Sequence, residues 1–361
     1  MRQMVIREAS KGSVARGWGA GSTALHLALC WTWVGMGGSG CSSAQRPMDD
    51  AVDTGAMDDA SQDTDSPDAT EADEPADTAD DTTDATPPAP VAVEPPAEAL
   101  LGESCVGIDD PDFDLDVERD RVDPPFRDPD LPALFIVGDS TVRNRNVQQV
   151  GWGDLVGSCF DQSELQVANW AREGRSARSF IEESLWRVIL LQLQAGDYVL
   201  VQFAHNDQSP VTTRGSLPGV GDETQLVVNA DTGLEGEVRT YGSYLRQYAE
   251  DVAAAGAQLV FVTPVPRNYW LSETETDNSV MAQYVEWMQQ VAEEEGVPVI
   301  DLNGALIDRY TELGRATVRF FFTSGDDTHT NLVGASWAAS FATQGLQDLD
   351  LDINQWLEGA P

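Results

Sequence analysis

Leu134-Phe135-Ile136-Val137-Gly138-Asp139-Ser140 decides how this chain is read, because four apolar residues run into a glycine and two polar residues. A short run of branched and aromatic side chains closed by glycine reads as a buried strand ending in a tight turn. The turn sets Ser140 at the strand's carboxyl end, where sheets of the α/β kind hold their ligands. Further runs of the same kind occupy residues 165–169, 198–203, 258–263 and 297–301. Between and after them, residues 179–193, 241–254, 279–295 and 330–346 carry apolar side chains at helical spacing. Short apolar strands alternating with helices predict an α/β fold over residues 131–361, a three-layer α/β/α sandwich on a mostly parallel sheet of about five strands.

Upstream the composition changes. Arg2, Arg7, Lys11 and Arg16 precede an apolar run at residues 24–36, too short to span a membrane comfortably, so residues 1–40 read as an export signal. Gly38-Ser39-Gly40-Cys41 resembles a bacterial lipobox, with Gly38 where leucine is usual. Cys41 is then the lipidation site, and the only membrane association is through that N-terminal lipid; plain secretion and a retained apolar anchor are the alternatives. Residues 47–101 contain no Lys, Arg or aromatic residue. They cannot bury a core, which makes residues 41–101 a disordered acidic spacer and residues 102–130 a connecting segment. With Cys30 in the signal and Cys41 given to lipid, Cys105 and Cys159 remain. In an oxidising compartment they either form a disulfide or stand as two separate thiols.

The chain has 61 Asp and Glu against 21 Lys and Arg, a formal charge of −40. This excludes nucleic acid as a partner, since nothing would neutralise phosphates, and a polyanionic substrate would meet general repulsion. Only His26, His205 and His329 are present, and His26 falls in the export signal. A multi-histidine metal centre is therefore impossible, and any histidine base is His205 or His329.

Asp326-Asp327-Thr328-His329 sits in a polar stretch ahead of the last helix. An aspartate three residues before a histidine can fold back onto Nδ1, fixing the tautomer while Nε2 accepts a serine proton. The competing reading is an acidic N-cap, with Asp326 or Asp327 capping that helix. Phe203-Ala204-His205-Asn206-Asp207 ends the third strand and offers the Asn206 amide as an oxyanion donor, with His205 as packed support. Asn169-Trp170-Ala171-Arg172-Glu173-Gly174-Arg175-Ser176 ends the second, and the Gly174 N–H can point at developing negative charge.

Gly-Asp-Ser, Asn-x-Ala-x-x-Gly-Arg-Ser, His-Asn-Asp and Asp-x-x-His stand in the order and strand placement of the SGNH, or GDSL-like, hydrolases, and the sequence resembles that superfamily. GDSTV, GWGD (151–154), GRSARSF (174–180), RGSLPG (214–219), RTYGSYLR (239–246) and TPVPRNYW (263–270) resemble its rhamnogalacturonan acetylesterase branch in particular. The likeness covers roughly residues 131–347. It implies a serine esterase with Ser140 as nucleophile, His329 as base, Asp326 as its orienting acid, and Ser140, Gly174 and Asn206 as the oxyanion hole. An acetyl-serine intermediate would form at Ser140 as acetylated pectin loses its acetyl group, with no metal or organic cofactor. Arg175, His205, Arg214, Arg267, Tyr269 and Trp270 are candidates for sugar contact, aromatics stacking on rings and arginines pairing with uronates. Ala204 departs from the family's glycine before His-Asn-Asp. An esterase on another acetylated glycan or short-chain ester shares the catalytic set, and a non-catalytic glycan-binding surface lipoprotein is the alternative from another class.

Overall fold

The computed structural model describes residues 105–106, 124–146 and 148–358. The export signal, the Cys41 lipidation site and the acidic spacer lie outside the described residues.

Strand β1 (Ala133–Gly138) is buried along its whole length. Its side chains divide by parity. Leu134 and Ile136 pack into one apolar cluster, while Phe135 and Val137 pack into another on the opposite face. A strand buried on both faces needs an apolar residue at every position, which is why LFIV shows no alternation. Strands β2 (Gln166–Asn169), β3 (Tyr198–Gln202), β6 (Gln258–Val262) and β7 (Val299–Ile300) complete a five-stranded sheet in the order β2-β1-β3-β6-β7. Every pairing in it is parallel. The chain leaves β1 toward β2 and returns on the other side as β3, so the strand order reverses between β1 and β3. Such a reversal opens a crevice at the strands' carboxyl ends.

Helices α1 (Ala177–Glu182), α2 (Leu185–Leu190), α3 (Tyr241–Ala255) and α4 (Ser279–Glu295) supply the cluster around Phe135, through Phe180, Trp186, Tyr248 and Met288. Helices α5 (Leu302–Leu313) and α7 (Leu332–Asp348) cover the Leu134 face, with Leu306, Tyr310, Ala338 and Ala342 buried there; the short α6 (Arg315–Val318) links them. These are the expected three layers.

The expected helix over 179–193 is two helices, because Ser184 adopts a left-handed conformation (φ 64°) and stops the first. The helix predicted from Thr330 begins at Leu332. Asn331 caps it, accepting from the N–H groups of Val333 and Gly334. The acidic-cap reading of Asp326 and Asp327 is thereby corrected. An antiparallel hairpin, β4 (Thr224–Val228) with β5 (Glu235–Arg239), and helix α5 were not among the predicted elements.

Cys105 and Cys159 form a disulfide with Cα atoms 5.0 Å apart. It closes the segment ahead of the fold onto the 3-10 turn at Val156–Cys159. Arg127 adds a second attachment, a fork to the buried carboxylate of Asp197 at 2.9 and 3.0 Å. Cys105 and Arg127, both ahead of residue 131, are thus tied to the packed structure.

Candidate active site

Ser140 follows β1 in a turn held by Asp139, whose carbonyl accepts from the N–H groups of Val142 and Arg143 at 3.2 and 3.1 Å. The Asp139 Oδ1 accepts from the Thr141 N–H (2.9 Å) and hydroxyl (2.7 Å). Below it a buried relay runs from Trp152 Nε1 to Gln202 Oε1 (2.9 Å) and from Gln202 Nε2 to Thr141 Oγ1 (2.8 Å). The GWGD block presses on this turn: a Cβ at Gly151 would lie 2.2 Å from the Val142 backbone. Only glycine permits that approach.

The Ser140 hydroxyl lies 2.9 Å from His329 Nε2. On the ring's other side, His329 Nδ1 stands 2.7 Å from Asp326 Oδ2. A carboxylate can only accept here, so Nδ1 carries the proton and Nε2 is left to receive one from Ser140. The Asp326 Oδ1 takes the backbone N–H groups of Thr328 (2.7 Å) and His329 (2.9 Å), and Oδ2 also takes Gln149 Nε2 (2.9 Å). Burial pushes this carboxyl upward, but the N–H bonds and the imidazole outweigh it and hold the acid below its ordinary value. Asp326 therefore stays ionised beside the ring.

Asp327 clamps the neighbouring loop: its carbonyl accepts from the Asn268 N–H at 2.8 Å and its Oδ1 from Asn268 Nδ2 at 3.1 Å.

Gly174 adopts φ +77°, a left-handed turn suited to glycine, just ahead of α1. Asn206 Nδ2 donates to the Arg175 carbonyl at 3.1 Å, which fixes the amide and leaves its second N–H unengaged. Among the described residues, no hydrogen bond uses the backbone N–H of Ser140 or Gly174. The site thus contains a serine–imidazole–carboxylate relay, while the N–H groups of Ser140 and Gly174 and one N–H of Asn206 remain unspent.

Asp207 locks this arrangement from beneath. Its carboxyl accepts from the Ala177 N–H at the start of α1 (3.1 Å) and from the Ser216 hydroxyl (2.7 Å). Burial raises it from 3.8 to about 7, against the opposing pull of those two bonds. A raised folded value means stability that is complete below the unfolded value of 3.8 and lost as pH climbs through about 7. Asp207→Asn removes that titration. Thermal unfolding across pH 4 to 8 is expected to show the melting temperature of Asp207→Asn gaining on wild type as pH rises, then running level; a constant difference would contradict it.

The remaining sugar-contact candidates divide. His205 is buried, its Nε2–H donates to the Val265 carbonyl at 3.0 Å, and burial lowers its pKa. It is a neutral support under the site, 7% exposed. Arg175 is turned onto Glu183 at 2.7 Å. Arg267 Nη1 donates to the Tyr269 hydroxyl at 3.3 Å, and Trp270 Nε1 to Asn268 Oδ1 at 2.8 Å. Tyr269 and Trp270 line a cleft of about 620 Å³ with Arg315, Arg319 and Asp327. Arg214 is exposed and lines a different cleft beside Gly174.

Gln149 and Asp207 were not singled out in the sequence. Gln149 carries no signal of its own, whereas Asp207 sits within the His-Asn-Asp block and is marked only by the block's order.

A nucleophile-ready serine in the turn after β1, with a His–Asp pair in the loop ahead of α7, defines the class as a carboxylic ester hydrolase of the α/β kind. The family model of the GDSL-like Lipase/Acylhydrolase family matches residues 136–347, and the chain belongs to that family. The chain is 33% identical over 211 residues to the rhamnogalacturonan acetylesterase of Emericella nidulans, a match covering 57% of this chain and 81% of that one. It is 30% identical over 240 residues to rhamnogalacturonan acetylesterase RhgT of Bacillus subtilis, covering 62% and 93%. Among solved structures, the YxiM protein of Bacillus subtilis superposes with a TM-score of 0.51 at 26% identity, over 62% of this chain and 58% of that one.

Proposed function

We propose that this protein is a serine acetylesterase that removes acetyl groups from pectin, with acetylated rhamnogalacturonan as its substrate. The observation that carries the reading is the unbroken relay from Ser140 through His329 to Asp326, at 2.9 and 2.7 Å. The named activity of its curated relatives supplies the acyl group and the polymer.

In this reading the Ser140 hydroxyl attacks the acetyl carbonyl while its proton passes to His329 Nε2. The N–H groups of Ser140 and Gly174 and the free N–H of Asn206 take the oxyanion, a contribution of about 10²–10³ in turnover for a single such donor. The imidazolium, stabilised by Asp326, protonates the departing sugar oxygen and leaves acetyl-Ser140. Water then gives its proton to His329 and attacks the acetyl carbonyl, and acetate leaves as Ser140 recovers its hydrogen.

The acidity of the chain favours a second reading, a neutral acetylated glycan such as xylan. Acetate release from acetylated rhamnogalacturonan, acetylated xylan and p-nitrophenyl acetate separates the two. The first polymer is expected to give the highest kcat/KM; equal or faster release from xylan would overturn the pectin assignment.

A further inference from the structure

Beside Gly174 a cleft of about 450 Å³ opens between α1 and the β4–β5 hairpin. Three guanidinium groups reach it, and two are spent. Arg178 is buried, paired with Glu182 at 2.8 Å and donating to the carbonyls of Val211 and Gly215. Arg175 is paired with Glu183 at 2.7 Å. Arg214 differs, because among the described residues it has no carboxylate within ion-pair distance. Its Nη1 donates to the Gly174 carbonyl at 2.9 Å. That bond fixes one edge of the fork and leaves the other N–H groups to the cleft. Asp231 and Glu235 also line the cleft, from the loop of the hairpin and the start of β5.

We infer that Arg214 is a specificity residue, binding the carboxylate of a uronic acid in the acetylated polymer. The inference rests on the pectin reading above and deepens it. Three features carry it. A guanidinium matches a carboxylate in plane and can bind it through two N–H groups. Its attachment to Gly174 ties the captured sugar to a residue of the oxyanion hole, so holding the carboxylate also sets the ester beside Ser140. In a chain of net charge −40, an arginine beside Gly174 with no carboxylate in ion-pair reach among the described residues also offsets locally the repulsion that a polyuronide meets elsewhere.

The test compares an acetylated, galacturonate-containing oligosaccharide with its carboxyl-reduced counterpart, using wild type, Arg214→Gln and Arg214→Lys. A charge-assisted pair predicts that wild type loses about 10- to 100-fold in kcat/KM on the reduced substrate, mostly through KM. Arg214→Gln should treat the two substrates alike, and Arg214→Lys should retain part of the preference. A wild-type enzyme indifferent to carboxyl reduction overturns the inference whatever the variants do. So does an Arg214→Gln variant that keeps the preference, or one that loses kcat equally on both substrates, which would make the Gly174 contact purely structural. Hydrolysis of p-nitrophenyl acetate without release from either oligosaccharide would instead overturn the pectin reading itself.

Discussion

Ser140→Ala is expected to lower turnover of p-nitrophenyl acetate by roughly four to six orders of magnitude, with little change in KM. The hydroxyl is the atom in line with His329 Nε2 at 2.9 Å, and no neighbouring group can replace it. His205 cannot rescue the reaction, because it is buried with Nε2 committed to the Val265 carbonyl. The oxyanion donors survive the substitution because one is the backbone N–H of residue 140 itself, so substrate is still held. Removing one hydroxyl from a turn fixed by Asp139 and Thr141 should leave the melting temperature close to wild type. Folded Ser140→Ala protein that keeps even a tenth of wild-type turnover would mean that another nucleophile acts.

Asp326→Asn is expected to cost about 10³- to 10⁴-fold in kcat. The reason is geometric. The Asp326 Oδ1 holds the N–H groups of Thr328 and His329, a job the amide oxygen can take over. That orientation points the new NH₂ at His329 Nδ1 in place of an acceptor. The ring then moves its proton to Nε2 and can no longer accept one from Ser140. Gln149 Nε2, which donates to the same carboxylate at 2.9 Å, also loses its acceptor. The fold should persist while kcat falls. A variant with near wild-type kcat would show that Asp326 is only a loop anchor.

The sheet was legible because its strands are buried on both faces, so Leu134, Phe135, Ile136 and Val137 announce themselves as an apolar run. The β4–β5 hairpin was not, since four of the five β4 residues are exposed and Leu226 and Val228 face solvent. A strand that buries only Val227 and exposes the apolar residues on either side of it has no alternation to read. Helix α5 did carry a readable signal: its buried apolar positions, Leu302, Leu306 and Tyr310, recur every four residues behind the Asp301 cap.

At the site, scarcity did most of the reading. With His329 the one histidine at a polar loop near the chain's end, Ser140 and Asp326 followed from spacing and motif order. The supporting groups were hidden, because their partners lie far away in sequence. Gln149 reaches Asp326 across 177 positions and Asp207 meets Ala177 across 30. Such contacts exist only after the sheet has brought the loops together.

The most direct measurement is covalent trapping. A phosphonate ester that mimics the tetrahedral adduct, incubated with the purified protein and followed by peptide mass spectrometry, should deposit one label on Ser140 and abolish acetate release in proportion. A label on any other residue, or full activity with Ser140 labelled, would contradict the assignment of Ser140 as the nucleophile.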